Sequence, residues 1–325
     1  MTDLLSLIKE TGAYAAVKND KINGTLSHAY LILCSDGECL SEYLKIFVKL
    51  IACRESDPCG SCRACRLIDD KQYPDAIFYP ASGNVVSVAD ANDLIEKSFY
   101  KPVEGDAKIF AIENGDTMTA AAQNKLLKTL EEPQKTVTIF LGVSRESAML
   151  DTVKSRTKKI TLDRFSQEEI SSALKEEGFP SDSAETAAAC ADGMLGRAKE
   201  IAEDKSFAEN YAQTVNVFKN LKKSGDVASF LNEKVLDKER LPVFLDIASL
   251  IVRDMMAAKT DERLITNRRT AEEIKEMSQD YSLLALSNIL YLINEERKKL
   301  NVYVSSVGVA ENLLLGILEV KYKCR

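Results

Sequence analysis

The sequence lacks the excess of positive charge that proteins gripping a nucleic-acid backbone carry. Its 325 residues include 43 Lys and Arg against 50 Asp and Glu, which gives a net charge of −7. A protein whose main work is to bind that backbone needs a concentrated basic surface. The composition therefore argues against this class, although it leaves room for a local basic patch.

Long apolar stretches are also missing from the start of the chain. The first ten residues mix Asp3, Lys9 and Glu10 with leucines, which suits neither a signal peptide nor a membrane span. We therefore expect a cytoplasmic protein without a membrane partner, in a compartment where thiols stay reduced. Tryptophan is absent and histidine occurs once. We interpret that residue, His28, and the nearby Tyr30 as packing residues at the entrance of a strand.

Cysteine, in contrast, is concentrated in one short segment. Cys53, Cys59, Cys62 and Cys65 follow the pattern C-x5-C-x2-C-x2-C, which predicts a structural Zn²⁺ site with four thiolate ligands. Metal binding would replace a core in a segment too short and polar to bury one. Disulfides or a thioredoxin-like redox pair are the alternatives, but a lone pair would leave two neighbouring thiols unexplained. The other cysteines lack the spacing of a second metal site: Cys34, Cys39, Cys190 and Cys324.

The first half of the chain alternates short apolar runs with amphipathic segments, which predicts an α/β fold with a mostly parallel, doubly wound sheet. The predicted strands are Ala29–Cys34, Ala76–Tyr79, Lys108–Ile112, Thr136–Gly142 and Lys159–Leu162. The predicted helices are Leu40–Ala52, Val88–Phe99, Thr119–Leu130 and a shorter one near Leu150–Ser155. The cysteine segment interrupts this alternation after the first of these helices.

The second half shows only helical patterns. Ser166 and Glu169 form a predicted capping box at the start of a small helical unit. Turns are predicted near Gly225 and Lys238. Longer helices are predicted at Leu241–Lys259, Thr270–Leu300 and Ser305–Tyr322. Such helices pack on each other in an intrachain bundle or on a partner, and hydrophobic spacing does not distinguish the two.

The loop after the first strand stands where a phosphate-binding loop would lie, but it lacks most of the residues that bind phosphate. A working loop reads G-x-x-x-x-G-K-[ST]. Cys34 and Cys39 replace its glycines, Leu40 replaces its lysine, and only Ser41 remains, while Gly37 lies within the turn. We therefore predict that this loop binds no ATP.

Acidic residues strengthen that prediction. Asp36 and Glu38 would each repel a triphosphate by on the order of 2–4 kcal/mol at ~4–6 Å. An ATPase of this architecture ends the strand Lys108–Ile112 with Asp-Glu, whereas this chain has Glu113 and Asn114. The amide of Asn114 cannot accept a proton from water. Two catalytic elements are lost together, so the sequence indicates a fold that was kept after its chemistry disappeared.

Several motifs together resemble the bacterial clamp-loader subunits of DNA polymerase III. They are Leu26–Leu31 (LSHAYL), the Cys53–Cys65 cluster, Tyr73–Asp75 (YPD), Asn124–Pro133 (NKLLKTLEEP), Ser155–Thr157 (SRT) and Gly193–Arg197 (GMLGR). The resemblance covers about residues 20–205. The degenerate phosphate loop separates the chain from the gamma/tau motor branch of this family and makes it similar to the delta-prime branch.

The resemblance implies three parts: an AAA+ domain at residues 1–163 with a zinc module at 53–65, a helical lid at 164–207, and a helical collar at 208–325 that oligomerises. It also implies that Arg156 reaches the ATP of a neighbouring motor subunit. The alternative for Arg156 is a surface arginine that caps a helix end. Thr157 stands where the family usually has cysteine, and Arg197, a nucleotide sensor in active relatives, is expected to be structural.

The role implied by the resemblance is that of a non-catalytic, stator-like subunit without ATPase activity of its own. Its expected partners are the gamma/tau and delta subunits, the sliding clamp and, through the complex, primed DNA. One rival is an active ATPase of the gamma/tau type, which Leu40 and Asn114 argue against. The other is a free-standing zinc-containing interaction module that kept only the fold.

Overall fold

The computed structural model describes residues 4–232, 236–267, 270–300 and 305–323. The chain divides into two compact units, one of Met1–Ala184 with Ala191–Lys199 and one of Glu185–Cys190 with Glu200–Arg325. The first unit is α/β and the second is helical, as the sequence predicts. The expected three-part division at residues 163 and 207 stays a prediction.

A five-stranded, entirely parallel sheet forms the centre of the first unit. Its strands are β1 (Ala29–Cys34), β2 (Ala76–Tyr79), β3 (Lys108–Ile112), β4 (Val137–Val143) and β5 (Lys158–Leu162). Their order is β2-β3-β4-β1-β5. Because β1 and β3 both pair with β4, the carboxyl ends of these three strands lie side by side. Open parallel sheets bind ligands at such an edge.

Helices cover both faces of this sheet. The helices in this part of the chain are α1 (Leu4–Lys9), α2 (Gly12–Ile22), α3 (Leu40–Ala52), α4 (Arg63–Asp69), α5 (Val88–Ser98), α6 (Ala120–Glu131), α7 (Asp151–Lys154) and α8 (Gln167–Glu176). Phe140 of β4 stacks on Phe47 of α3 on one face. Ile139, its neighbour in β4, belongs to a core on the opposite face that includes Leu94 and Leu126. Burial on both sides explains why the strands read as continuous apolar runs.

In the first unit the structure confirms one predicted helix start and adds two helices that were not predicted. The capping box of Ser166 and Glu169 is confirmed at the start of α8. Helices α1 and α2 were not predicted, since most apolar residues of α2 form one short run, Ala13–Val17, instead of recurring with a helical period. Tyr14 and Val17 of α2 are nevertheless fully buried.

Helices alone build the second unit, and the boundary between the units falls within α9 (Ser181–Cys190) and α10 (Leu195–Glu203). The remaining helices are α11 (Phe207–Asn220), α12 (Ser224–Phe230), α13 (Leu241–Thr260), α14 (Ala271–Ser278), α15 (Leu283–Leu300) and α16 (Ser306–Lys323). None of the described helices is both long and apolar enough to cross a membrane.

One expectation for this unit is corrected. The single helix predicted at Thr270–Leu300 is interrupted between α14 and α15, because Tyr281 turns inward and its hydroxyl donates to the carbonyl of Phe218 at 3.3 Å. The turn predicted near Gly225 is confirmed at residues 221–223, between α11 and α12, and Gly225 itself lies in the first turn of α12. The carboxylate of Asp226 accepts the backbone N–H groups of Lys222 and Lys223 there and so starts the helix.

Most apolar residues of the long helices face a core inside this unit. Leu286, Ile289 and Ile293 of α15 are fully buried, as are Leu313 and Ile317 of α16. The intrachain bundle therefore accounts for most of the hydrophobic pattern. A smaller apolar set on α15 stays exposed at Leu284 and Tyr291, whose exposed fractions are 63% and 68%.

Candidate functional site

The four clustered cysteines converge to one point within the first unit. Cys53 follows the last residue of α3, and Cys62 precedes α4, where its sulfur accepts the N–H of Cys65 at 3.4 Å. The four sulfur atoms all lie within 4.8 Å of one another, and those of Cys53 and Cys62 are 4.0 Å apart. A tetrahedral zinc site with ~2.3 Å bonds requires sulfur separations of about 3.8 Å. The arrangement therefore fits a four-thiolate metal centre.

The environments of these thiols differ. The backbone N–H of Cys62 donates to the sulfur of Cys59 at 3.3 Å and lowers the pKa of that thiol to about 6. Burial raises the pKa of the Cys65 thiol to about 12, so a metal ion must displace its proton. Gly60, with φ +69, supplies the left-handed turn between Cys59 and Cys62. A redox pair would use two of these sulfurs, whereas a metal ion accounts for all four.

Helix α2 holds the first part of the cysteine segment in place. Asp57 accepts hydrogen bonds from the hydroxyl of Tyr14 at 2.7 Å and from the ammonium of Lys18 at 2.8 Å. The ammonium of Lys21 donates to the carbonyls of Cys53 and Glu55, each at 2.7 Å. These contacts fix the loop that contains the first metal ligand, a role of α2 that the sequence analysis missed.

The loop that the sequence analysis interpreted as a degenerate phosphate loop connects β1 to α3 at the carboxyl edge of the sheet. The Leu40 side chain, at the position of the phosphate-binding lysine, is 1% exposed. A Cβ on Gly142 of β4 would lie 3.1 Å from Leu40 Cδ1, which places this leucine against the sheet. Cys34 and Cys39 are also buried, and burial raises the pKa of each thiol to about 12. The three replacements have joined the core.

The Asp36 side chain points into the protein, whereas the sequence analysis placed it facing a phosphate. Its carboxylate is 6% exposed and accepts the hydroxyl of Tyr43 at 2.7 Å and the backbone N–H of Gly196 at 2.9 Å. A Cβ on Gly196 would lie 2.7 Å from Asp36 Oδ1 and 2.8 Å from Glu38 Cβ. The first turn of α10 therefore packs directly on this loop, and the half-buried Arg197 follows in the same turn. Glu38 is exposed.

Ser41 and Glu113 meet at the same edge of the sheet. The Ser41 hydroxyl donates to Glu113 Oε1 at 2.6 Å, so it bonds to this carboxylate instead of capping its own helix. The ammonium of Lys71 lies 2.7 Å from the same carboxylate. Asn114 turns away and donates to the carbonyl of Asn84 at 3.3 Å. Sequence reasoning missed Lys71, which lies in a short polar turn that matches no motif.

Arg156 follows α7 and is bound by its own chain. Its guanidinium donates from Nε to Glu131 Oε1 at 2.8 Å and from Nη1 to the carbonyl of Thr152 at 2.9 Å. The Nη2 group lies 2.5 Å from the same carboxylate oxygen, and 34% of the arginine side chain is exposed. The carbonyl of Arg156 lies 3.1 Å from Nε2 of the half-buried His28. Glu131 ends α6 and was not predicted as a partner of this arginine.

Among the described residues, only the Cys53–Cys65 set forms a cluster with possible metal ligands. Cys34, Cys39 and Cys190 are buried and outside it. Cys324 lies outside the described residues. The structure thus gathers the four predicted zinc ligands, gathers the remains of the phosphate loop with Glu113, and leaves Arg156 at the surface.

Comparison with known proteins finds similarity to subunits of DNA polymerase III. Residues 9–166 match the family model described as DNA polymerase III, delta subunit. The DNA polymerase III delta-prime subunit of Bacillus subtilis is 26% identical over 314 residues, which cover 94% of each chain. A tau/gamma subunit of Haemophilus influenzae is 30% identical over 49% of this chain and 23% of its own length. The solved gamma-subunit-related protein of Thermotoga maritima aligns with a TM-score of 0.45 at 16% identity, covering 94% of this chain and 99% of that one.

Proposed function

We propose that the chain is a member of the bacterial DNA polymerase III clamp-loader family, in its delta-prime branch, and that it acts there as a non-catalytic subunit. In this role it helps to load the sliding clamp onto primed DNA. The gamma/tau subunits bind and hydrolyse the ATP for this work, and the delta subunit completes the complex.

The observation that carries this proposal is the state of the phosphate loop. Leu40 is packed against β4 where a lysine would contact phosphate. Asp36 accepts the backbone N–H of Gly196 in the first turn of α10, and its negative charge opposes any phosphate placed there. Nucleotide binding would require the loop to expose buried apolar side chains and to accept phosphate groups that the Asp36 carboxylate repels.

The contact between Asp36 and Gly196 supports a stator role. In an active AAA+ subunit the nucleotide lies between the phosphate loop and the lid. In this chain the backbone N–H of Gly196, at the start of α10, donates a hydrogen bond of 2.9 Å to Asp36 of the loop. Residues 191–199 accordingly belong to the same compact unit as the sheet. We infer that this unit keeps one shape throughout the ATP cycle of its neighbours.

The second element of the proposal is that Arg156 acts in trans on the ATP of a neighbouring motor subunit. A guanidinium fork binds carboxylate and phosphate in the same planar, bidentate manner. Glu131 therefore holds Arg156 in the free chain, and the more highly charged triphosphate takes its place in the complex. An arginine at that position stabilises the charge that develops on the transferred phosphoryl group.

The third element is a structural Zn²⁺ bound by Cys53, Cys59, Cys62 and Cys65. A four-thiolate site leaves no open coordination position, which suits a structural ion and not a catalytic one. The ion would tie the end of α3 to the start of α4 and so fix the module against α2. No catalytic step is assigned to it.

Reconstitution of the complex with and without this chain tests the proposal. Clamp loading and clamp-stimulated ATP hydrolysis should require the chain, although the isolated chain contributes no ATPase activity. Tight binding of Mg-ATP to the isolated chain would favour the rival active ATPase. Failure to co-purify with motor and delta subunits would favour the free-standing zinc module.

A further inference from the structure

Two residues at the positions of magnesium ligands touch each other directly in this chain. In active nucleotide-binding loops the Ser or Thr at the position of Ser41 and the acidic residue at the position of Glu113 hold Mg²⁺ between them. Here the Ser41 hydroxyl donates to Glu113 Oε1 at 2.6 Å, so no space for an ion remains between these two atoms. Glu113 is only 8% exposed.

The positive charge beside Glu113 comes from a lysine side chain of the protein itself. Lys71 lies in the turn after α4, in the left-handed region with φ +55, and its ammonium is 2.7 Å from Glu113 Oε2. The same ammonium lies 5.4 Å from the ring centre of Phe78 in β2. A buried carboxylate is strongly destabilising without a partner charge. Lys71 supplies that charge at 2.7 Å, and Ser41 donates a hydrogen bond to the same carboxylate.

At the position where a phosphate would lie, a side chain of the protein likewise takes the place of the ligand. The carboxylate of Asp36 accepts the N–H of Gly196 at the amino end of α10 and the hydroxyl of Tyr43. Helix amino ends attract anions, so Asp36 provides an internal anion where a nucleotide would bring an external one. The anion and the cation of the site both come from the chain itself.

We propose that Lys71 is an internal substitute for the magnesium ion, so that the Ser41–Glu113 pair is stable without any bound metal. A consequence is that removal of the Lys71 charge uncovers a site for a divalent cation at Glu113. This inference rests on the proposed loss of nucleotide binding and identifies the group that replaces the metal.

The test compares thermal unfolding of the isolated chain with and without millimolar Mg²⁺, at matched ionic strength and without nucleotide. Lys71→Met should lower the melting temperature by about 2–4 °C, and Mg²⁺ should restore at least half of that loss. The wild type should not respond to Mg²⁺. Lys97→Met is the matched control, since Lys97 and Lys71 have side chains that are 40% and 39% exposed and form carboxylate contacts of 2.8 and 2.7 Å. The melting temperature of Lys97→Met should not change when Mg²⁺ is added.

Two further variants keep the test decisive if Lys71→Met folds poorly. Lys71→Arg keeps the positive charge and should melt like the wild type. Lys71→Met combined with Glu113→Gln removes both charges, so it should recover stability and lose the Mg²⁺ response. An unchanged melting temperature in Lys71→Met, or an equal Mg²⁺ response in the wild type, would overturn the inference. Calorimetry of the wild type with Mg-ATP separates that failure from a failure of the proposed function, because only the latter gives binding.

Discussion

Replacing Arg156 by alanine removes one guanidinium from the surface of the first unit without touching its core. In the free chain that group contacts Glu131, the carbonyl of Thr152 and, at 3.3 Å, the hydroxyl of Ser155. The arginine and glutamate side chains are 34% and 49% exposed. An ion pair this exposed contributes about 0–1 kcal/mol to stability, so the variant should fold and assemble normally.

The effect on the neighbouring ATP site should be much larger. An arginine that stabilises the transition state of phosphoryl transfer contributes roughly 10³-fold or more to the rate. If Arg156 is that group, Arg156→Ala should slow hydrolysis at the adjacent motor subunit by about this factor. Other sites in the complex keep their own arginines, so the total ATPase rate should fall less. Arg156→Lys keeps the charge without the planar fork and should recover only part of the rate.

The assay is clamp-stimulated ATP hydrolysis and clamp loading by a reconstituted complex that carries only this substitution. Arg164→Ala provides the matched control, because Arg164 is a half-exposed arginine that also binds one carboxylate and one carbonyl, both of Asp192. A complex that carries Arg164→Ala should hydrolyse ATP at the rate of the wild-type complex. A fully assembled Arg156→Ala complex with unchanged hydrolysis and loading would refute the reasoning and leave Arg156 as a residue that caps the end of α7.

Three further predictions concern other parts of the chain. The purified protein should contain one zinc per chain by metal analysis, and a Cys59→Ser/Cys62→Ser variant should lose it; equal zinc in both preparations would exclude the site. The isolated chain should give no binding heat with Mg-ATP in calorimetry, and micromolar affinity would contradict the buried state of the phosphate loop. The exposed Leu284 and Tyr291 should contribute to assembly, so their double replacement by alanine should weaken incorporation into the complex about tenfold or more with little change in folding. Leu264→Ala, at a residue 65% exposed, should have no such effect.

The sequence predicted best those features that depend on neighbouring residues. Strands β1, β2 and β3 have the predicted bounds, because each is a continuous apolar run between polar turns. The thiolate cluster was predictable since its four ligands lie within thirteen residues, so chain geometry alone brings them together. The start of α8 followed from one local motif. These features need little information about the rest of the fold.

The features that were missed depend on contacts between distant parts of the chain. Lys71 and Glu113 are 42 residues apart, and Asp36 and Gly196 are 160 apart. Their contacts exist only once the strand order has placed the ends of β1 and β3 on either side of β4. Tyr281 likewise interrupts a helical pattern because of a carbonyl 63 residues away. No local period or motif contains this information.

The contacts around the proposed degenerate phosphate loop stabilise it without a ligand. A site that merely lost its lysine would keep buried acidic groups without a compensating charge, at a cost in stability. Asp36 and Glu113 are both buried, yet each has partners within 3 Å. Within the described ranges, the buried side-chain atoms without hydrogen bonds all lie elsewhere, at Ser171, Asn210, Gln213 and Glu296. The replacements therefore stabilise this edge of the sheet without a nucleotide, as a subunit that keeps one shape while its neighbours turn over ATP would require.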